Sequence, residues 1–254
     1  HCFASGKKLC RRIVLADGTP SSLSNDHPVM TARGWVTAED VRVGSDFVAV
    51  ATKIPDPPLP TQASDDEVKL IAYLLSDGGC TQAPTNFTNM TPAVISEFEG
   101  LGKSLWGGSV RDRESKSKAR ELTIYGNGRR PRKGKGGFHP QEPRLFRDKW
   151  DLNGFAKNKR LHPTLWGLPR RQIGLFLNRF WACDGYIEDG KRFGIILASE
   201  KMIDDLQFLL LRLGIQSRKH YKNVKFKGQF FDAWRLTVSA GSTGLFLISV
   251  GEIL

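Results

Sequence analysis

Two stretches of this 254-residue chain share an unusual shape. LIAYLLSDGG, Leu70 to Gly79, is an apolar run that ends in one acid, Asp77, and two glycines. FLNRFWACDG, Phe176 to Gly185, repeats the arrangement 107 residues later with Asp184. A carboxylate at a helix C-terminus opposes the macrodipole and costs roughly 0.3–1 kcal/mol. Two such placements in matched contexts ask for a shared reason. If the two helices pack side by side, their ends bring Asp77 and Asp184 together, and Ala72, Ser76, Gly174 and Ala182 are small enough to serve that contact. Adjacent carboxylates repel and raise one pKa. A divalent cation such as Mg²⁺ removes the conflict, since it takes a few carboxylates plus phosphate oxygens and water. Such an ion activates water and stabilises the leaving group of a phosphodiester.

The surrounding sequence predicts two matched half-domains. Ser64 and Glu67 form a capping box for a helix over Asp65 to Ser76. A strand at Asn86–Asn89 follows, then a helix with Thr91 as N-cap that reaches about Leu105, then strands at Ser109–Arg111 and Glu121–Tyr125. The second copy runs from Pro169 to Cys183. A hairpin at 186–197, a helix capped by Ser199 and ending near Leu213, strands at Ser217–Tyr221 and Ala233–Val238, and a last helix over Ser242–Leu254 complete it. A repeat of about 100 residues is too long for a solenoid unit and suits two pseudo-symmetric halves. Residues 1–54 read instead as short strands broken by turns such as Asp17-Gly18, with pieces near Arg11–Leu15, Val29, Trp35-Val36 and Phe47–Val50. The Pro-rich 55–63 segment (PDPPLP within it) reads as an extended linker.

Charge narrows the partner. The net charge is +12, and Lys103 to Arg160 alone holds 17 Lys/Arg against 6 Asp/Glu. That concentration suits a polyanion, because neutralising phosphates releases counterions. Candidate contacts are Arg111 and Arg113 on one strand face, Lys116, Lys118 and Arg120 if their segment is extended, and Arg129 and Arg130 in GNGRRPRKGKGG. The second half offers Arg192, Arg218, Lys222, Lys225, Lys227 and Arg235, with Tyr221 among them. Arginine reads guanine bidentately in the major groove, and lysine mainly holds phosphates. Four cysteines, at 2, 10, 80 and 183, show no CxxC spacing, so a zinc site is not expected and a reduced, intracellular protein is. No apolar run reaches membrane-spanning length, and HCFASGKKLCRR has no signal-peptide core.

At these motifs the chain resembles the LAGLIDADG homing endonucleases, over about residues 64–254, with halves near 64–165 and 166–254. IAYLLSDGG and FLNRFWACDGYI look like the family's two signature helices. The resemblance implies an α+β, pseudo-two-fold domain of two αββαββα-like halves whose saddle-shaped sheets lie in the DNA major groove. It implies a monomer acting as a pseudo-dimer on a long double-stranded recognition site. It assigns the catalytic divalent ions, Mg²⁺, to Asp77 and Asp184. KRLHPTLWGLP resembles the family's K-x-I-P block, which points to Lys159 as an assisting lysine, with Pro163 one place later than the pattern. A lysine beside the scissile phosphate would stabilise developing charge.

RRIVLADGTPSSLSNDHPVMTARGWVTAEDVRVGSDFVAV resembles part of an intein splicing (Hint) domain. Its T-x-x-H motif reads Ser24-Asn25-Asp26-His27, so Ser24 and His27 are the matching positions. No N-terminal splicing block precedes it and the chain ends SVGEIL, so splicing is not expected of the chain as it stands. The reading is a site-specific, Mg²⁺-dependent DNA endonuclease of intein origin, acting on nucleoid DNA in the cytoplasm. The rivals are a non-cleaving DNA-binding protein and an intein whose main activity is splicing.

Overall fold

A computed structural model of the protein describes residues 6–81, 85–113, 118–127 and 142–253. The chain divides into two units, His1–Thr52 and Lys53–Leu254. Lys116, Arg129 and Arg130 lie outside the described residues.

The first unit consists of two hairpins. Strands β1 (Cys10–Val14) and β2 (Pro20–Ser24) form one, β3 (Pro28–Thr31) and β4 (Gly34–Thr37) the other. The strand expected at Phe47–Val50 is reduced to a single bridge between Thr31 and Val48. Within this unit Val29 and Ala38 are the buried apolar residues, while Trp35, Val43 and Phe47 are exposed. Ser24 and His27 bracket a turn in which the His27 amide donates to the Ser24 carbonyl over 2.9 Å. The His27 side chain is exposed and makes no hydrogen bond among the described residues.

The second unit begins with a segment without regular structure that is nonetheless tied down. Asp56 accepts from Arg170 (2.8 Å) and from Arg212 (2.9 Å), and the Thr61 amide donates to the Gly167 carbonyl over 2.9 Å. The Pro-rich stretch is therefore docked against the 166–212 region, because its side chains and free backbone groups find partners there. It is not a free spacer.

Helix α1 (Asp65–Ser76) has the expected limits. The Ser64 hydroxyl accepts from the Glu67 amide (3.2 Å) and the Glu67 carboxylate from the Ser64 amide (3.0 Å). Val68 and Leu70 to Leu75 are buried on every side, which marks α1 as a central helix rather than an amphipathic surface one. From α1 the chain runs through β5 (Gly78–Gly79), β6 (Asn86–Asn89), α2 (Pro92–Trp106), β7 (Ser109–Arg113), β8 (Arg120–Tyr125) and α3 (Glu142–Lys149). Thr91 precedes α2 but makes no side-chain cap. Its amide donates instead to the Asn89 side chain.

The second half repeats this order as α4 (Arg170–Asp184), β9 (Gly185–Glu188), β10 (Arg192–Leu197), α5 (Glu200–Arg212), β11 (Ser217–Phe226), β12 (Gln229–Val238) and α6 (Thr243–Val250). Both sheets are antiparallel, ordered β5-β6-β8-β7 and β9-β10-β12-β11, so the topology is identical in the two halves. The second pair of strands is longer than the sequence suggests. Lys227 and Gly228 both take positive φ, and this two-residue turn joins β11 and β12 as one continuous hairpin. The last helix stops at Val250.

Helices α1 and α4 pack together at the centre. Arg179 of α4 donates to both oxygens of Glu97 on α2 (2.6 and 2.8 Å), and the Tyr73 hydroxyl of α1 donates to the same carboxylate at 2.5 Å. Three helices from two halves are thus joined by a satisfied polar network, which favours one register. Gly174 does not serve the α1–α4 contact as expected. A Cβ there would collide with the Ser249 carbonyl, so the glycine admits α6.

Candidate active site and nucleic-acid interface

The two helix tips end alike. Asp77 caps α1 and Asp184 is the last residue of α4. In each copy the next residue must be glycine for the same reason. A Cβ at Gly78 would collide with the Leu74 carbonyl, and one at Gly185 with the Trp181 carbonyl, each three residues before its aspartate. The chain folds back so tightly onto the last helical turn that no side chain fits, and this holds the acid at the tip.

The tips meet. The Asn89 amide nitrogen lies 2.7 Å from Asp77 Oδ2 and 3.7 Å from Sγ of Cys183, the residue before Asp184. Burial raises the Asp77 pKa, against the opposing effects of Asn89, Cys183 and Lys159. Asp184 is pushed up to about 7, first by burial and then by the charge of Asp77, with Lys159 opposing. Burial also raises the Cys183 thiol, and the neighbouring acids add to the effect. Burial thus disfavours the charged form of both acids, and Asp184 also feels the charge of Asp77.

Lys159 approaches from the segment before α4. Its ammonium donates to three carbonyls at the end of α1: Leu74 (3.2 Å), Ser76 (2.8 Å) and Gly78 (3.0 Å). All three N–H groups are thus used on the orphan carbonyls of a helix C-terminus, where a cation is favoured. Burial lowers its pKa, and the carboxylates and thiols around it counteract that shift. The lysine expected beside a phosphate is held as a helix cap, with its charge directed at both acids. Its own backbone is anchored by α5. The Ser199 hydroxyl donates to the Lys159 carbonyl (2.5 Å), and the Asp205 carboxylate accepts from the Leu161 amide (2.8 Å).

The donor set suits a hard dication. Asp77 and Asp184 present carboxylate oxygens whose charge is disfavoured by burial, and for Asp184 by Asp77 as well, a cost that a bound Mg²⁺ would offset. No group of three or more His, Cys, Asp or Glu arranged around a metal position occurs among the described residues. The remaining ligands would have to be water and phosphate oxygens, as is common for Mg²⁺.

The sheets decide which basic residues share a surface. Directly paired residues of an antiparallel ladder lie on one face, and successive residues alternate. In the second half, Ser217, Lys219, Leu236 and Val238 are buried on the helix side. Arg218, His220, Lys222, Arg235, Thr237 and, on β10, Arg192 then share the open face. They line a concavity of about 590 Å³. Arg235 donates to Glu188 (2.9 Å) and stacks over Tyr186 (5.4 Å), whereas Arg218, His220 and Lys222 form no ion pair among the described residues.

Alternation removes others from that surface. By register Tyr221 and Lys225 lie on the opposite face of the hairpin, and Tyr221, which still borders the concavity, donates to Asp232 over 2.6 Å. Lys227 sits in the hairpin turn. In the first sheet Arg111 shares the open face with Asn86, Glu121 and Tyr125, with its guanidinium 5.2 Å from the Tyr125 ring. Arg113 is the last residue of β7. Arg120 does not join them. It lies on the helix side, neutralised by Asp112 (2.7 Å) and Glu99 (2.8 Å). Lys118 lies in the bend before β8.

Asn89 and Cys183 went unnoticed in the sequence. Asn89 had one signal, an asparagine two residues before a helix that opens Thr-Pro, where its side chain can close an Asx turn. Cys183 had none beyond its place beside Asp184.

A profile of the LAGLIDADG-like domain matches residues 171–247, which run from α4 into α6. The chain is 24% identical over 271 residues to the replicative DNA helicase DnaB of Synechocystis sp., with 99% of this chain and 29% of that protein covered. It is 27% identical over 231 residues to DnaB of Rhodothermus marinus, with 86% and 23% covered. It thus spans less than a third of the length of these relatives. Among solved structures, a variant of the homing endonuclease I-DmoI in complex with its target DNA in the presence of Mg matches with a TM-score of 0.52 at 13% identity, covering 73% of this chain and 95% of that one. I-DmoI in complex with DNA and Ca matches with a TM-score of 0.50 at 11% identity, covering 73% and 88%. The chain has the α+β fold of LAGLIDADG homing endonuclease domains, with its pseudo-two-fold arrangement of halves.

Proposed function

We propose that this chain binds double-stranded DNA along the open faces of its two sheets and hydrolyses phosphodiester bonds at the paired tips of α1 and α4. The observation that carries the reading is the meeting of the two helix tips, where Asn89 reaches both Asp77 and Cys183, the residue before Asp184, and where Asp184 feels the charge of Asp77. A Mg²⁺ ion bound there would supply Lewis acidity to the phosphate and a more acidic water. The carboxylates of Asp77 and Asp184 hold and orient the reacting groups. Lys159 fixes the α1 tip and lends positive charge to the site. In the reaction a water oxygen bonds to phosphorus, one phosphorus–oxygen bond to a sugar breaks, and the departing oxygen takes up a proton. Arg218, Lys222, Arg235, Arg192 and Arg111 engage the groove and the phosphates. Fold likeness to I-DmoI supports the DNA partner, and the charge distribution supports it independently.

The test is nicking of target-bearing plasmid with Mg²⁺, comparing wild type with Asp77→Asn. Targets are first selected by binding from a randomised duplex library. Cutting by wild type and its loss in the variant support the reading. Tight binding of a selected site with no cutting favours a second reading, a DNA-binding protein without cleavage. One observation leans that way: the Lys159 ammonium is already engaged by three carbonyls.

The chain further reads as a segment carried within a longer host protein. Near-complete alignment to less than a third of the DnaB relatives supports this, together with the sequence resemblance of residues 11–50 to part of a splicing domain at Ser24 and His27. The reading places the division of labour at 1–54, 55–63 and 64–254, and the DNA target in the cytoplasm. The coding sequence on both sides of the chain tests the origin: splicing motifs flanking it support the reading, and an uninterrupted reading frame of another kind removes it.

A further inference from the structure

The two halves share one topology, yet their tips differ in one side chain. Asn89 ends β6 and is 8% exposed. The Thr91 amide lies 2.8 Å from its Oδ1, and a backbone N–H can only donate. That contact fixes the flip of the amide, so the NH₂ group faces Asp77 Oδ2 at 2.7 Å. The same nitrogen lies 3.7 Å from Cys183 Sγ and so spans both tips. In the second half, Gly185 pairs with Ile195 as Gly78 pairs with Phe87. The place two residues on, held by Asn89 in the first half, belongs to Leu197 in the second. Leucine has no donor. Asp184 receives no side-chain hydrogen bond among the described residues.

We propose that Asn89 is a positioning residue that holds the Asp77 carboxylate for cation binding, and that Leu197 at the matching place leaves Asp184 without such support, so that the two strands of a bound duplex are cut at unequal rates. A carboxylate with one oxygen fixed presents the other oxygen in a set direction and has less freedom to lose on ligation. An unsupported carboxylate must be ordered by the ion itself. A duplex has its own two-fold symmetry, so each tip addresses one strand. The strand-cutting part rests on the endonuclease reading, and the cation part does not.

The first experiment titrates the full chain with Mn²⁺ and follows the free ion by its electron paramagnetic resonance signal. Asn89→Leu, which copies the second half, is expected to weaken Mn²⁺ affinity by about tenfold, the usual scale for losing a residue that orients a ligand. Thr91→Pro serves as the second variant if Asn89→Leu fails to fold. It keeps the asparagine, removes the amide that locks it, and suits a backbone φ of −80°. Mn²⁺ affinity within about twofold of wild type in a folded variant overturns the proposal, because an orienting group cannot be removed without cost. The second experiment labels each strand of a selected target separately. Asn89→Leu is expected to slow one strand by about tenfold and leave the other nearly unchanged, and Leu197→Asn to narrow the difference seen in wild type. Equal slowing of both strands overturns the strand assignment. If wild type cuts neither strand, the endonuclease reading is lost, and the Mn²⁺ titration still decides the role of Asn89.

Discussion

The two halves of the second unit have the same strand order and the same helix order, but they treat their acids differently. In the first half Asp77 is supported by Asn89, and the helix that carries it is capped by Lys159. In the second half Asp184 has Leu197 at the matching position and is pushed up to about 7 by burial and by Asp77. Symmetry of the backbone has therefore not been carried into the electrostatics. A repeat fixes where the tips lie, and single side chains fix what each tip does. The comparison can be broken at the acids, at the lysine and at the sheets.

The largest effect is expected at the acids themselves. Asp77→Asn and Asp184→Asn should each lower Mg²⁺-dependent nicking by about 10³-fold or more, since each removes a carboxylate from a two-acid centre. Strand-resolved nicking measures it. Retention of full cutting on both strands in either variant would mean that the tips do not act as one centre.

The stability of the metal-free protein should separate the two acids. The Asp184 pKa is raised from 3.8 to about 7, so its charged form is disfavoured in the folded state. The cost is absent below the unfolded pKa, grows as pH rises from about 4 to 7, and is fully present above that range. At pH 8 Asp184→Asn should therefore stabilise the metal-free protein by ~2–4 kcal/mol, and at pH 4 by almost nothing. Asp77→Asn should gain less, because the charge-assisted hydrogen bond from Asn89 becomes a neutral one. Thermal unfolding at the two pH values reads both. A gain independent of pH would assign the effect to packing. Added Mg²⁺ should close the gap at pH 8 by binding the wild type.

Lys159→Met sharpens the role of the lysine. It leaves three carbonyls at the α1 terminus without their donor, and a loss of ~2–3 kcal/mol in stability is expected. If unfolding is unchanged while nicking disappears, the ammonium leaves the carbonyls when DNA is bound and acts on phosphate.

Much of this was legible in sequence for definite reasons. The α1 limits follow from a capping box at one end and Asp-Gly-Gly at the other, both local signals. The repeat was legible because Gly78 and Gly185 answer the same backbone collision. The ion pairs of Arg120 were not legible because its partners, Asp112 and Glu99, come from another strand and from a helix, and composition does not reveal pairing. The three-carbonyl grip of Lys159 on α1 spans more than 80 residues of sequence, and no motif encodes it. The support of Asp77 by Asn89 depends on strand register, which a one-residue slip would reverse.

The same argument from register yields the smallest effect and the most specific contrast. Lys222 and Lys225 sit three residues apart on β11, so strand alternation sends them to opposite faces. Lys222 shares the open face with Arg218 and Arg235, and Lys225 lies within 5.7 Å of the Phe230 ring on the other side. Each lysine carries one charge, so a long-range field felt by DNA would weaken equally when either is removed. A docked face would not treat them equally. Lys222→Ala should weaken duplex binding by about 1 kcal/mol and reduce the slope of log affinity against log salt by about one, whereas Lys225→Ala should leave the slope within error. Fluorescence anisotropy of a labelled target across a salt series measures both variants against wild type. Equal slopes for the two would remove the open face of the second sheet as the docking surface and leave only a diffuse positive charge.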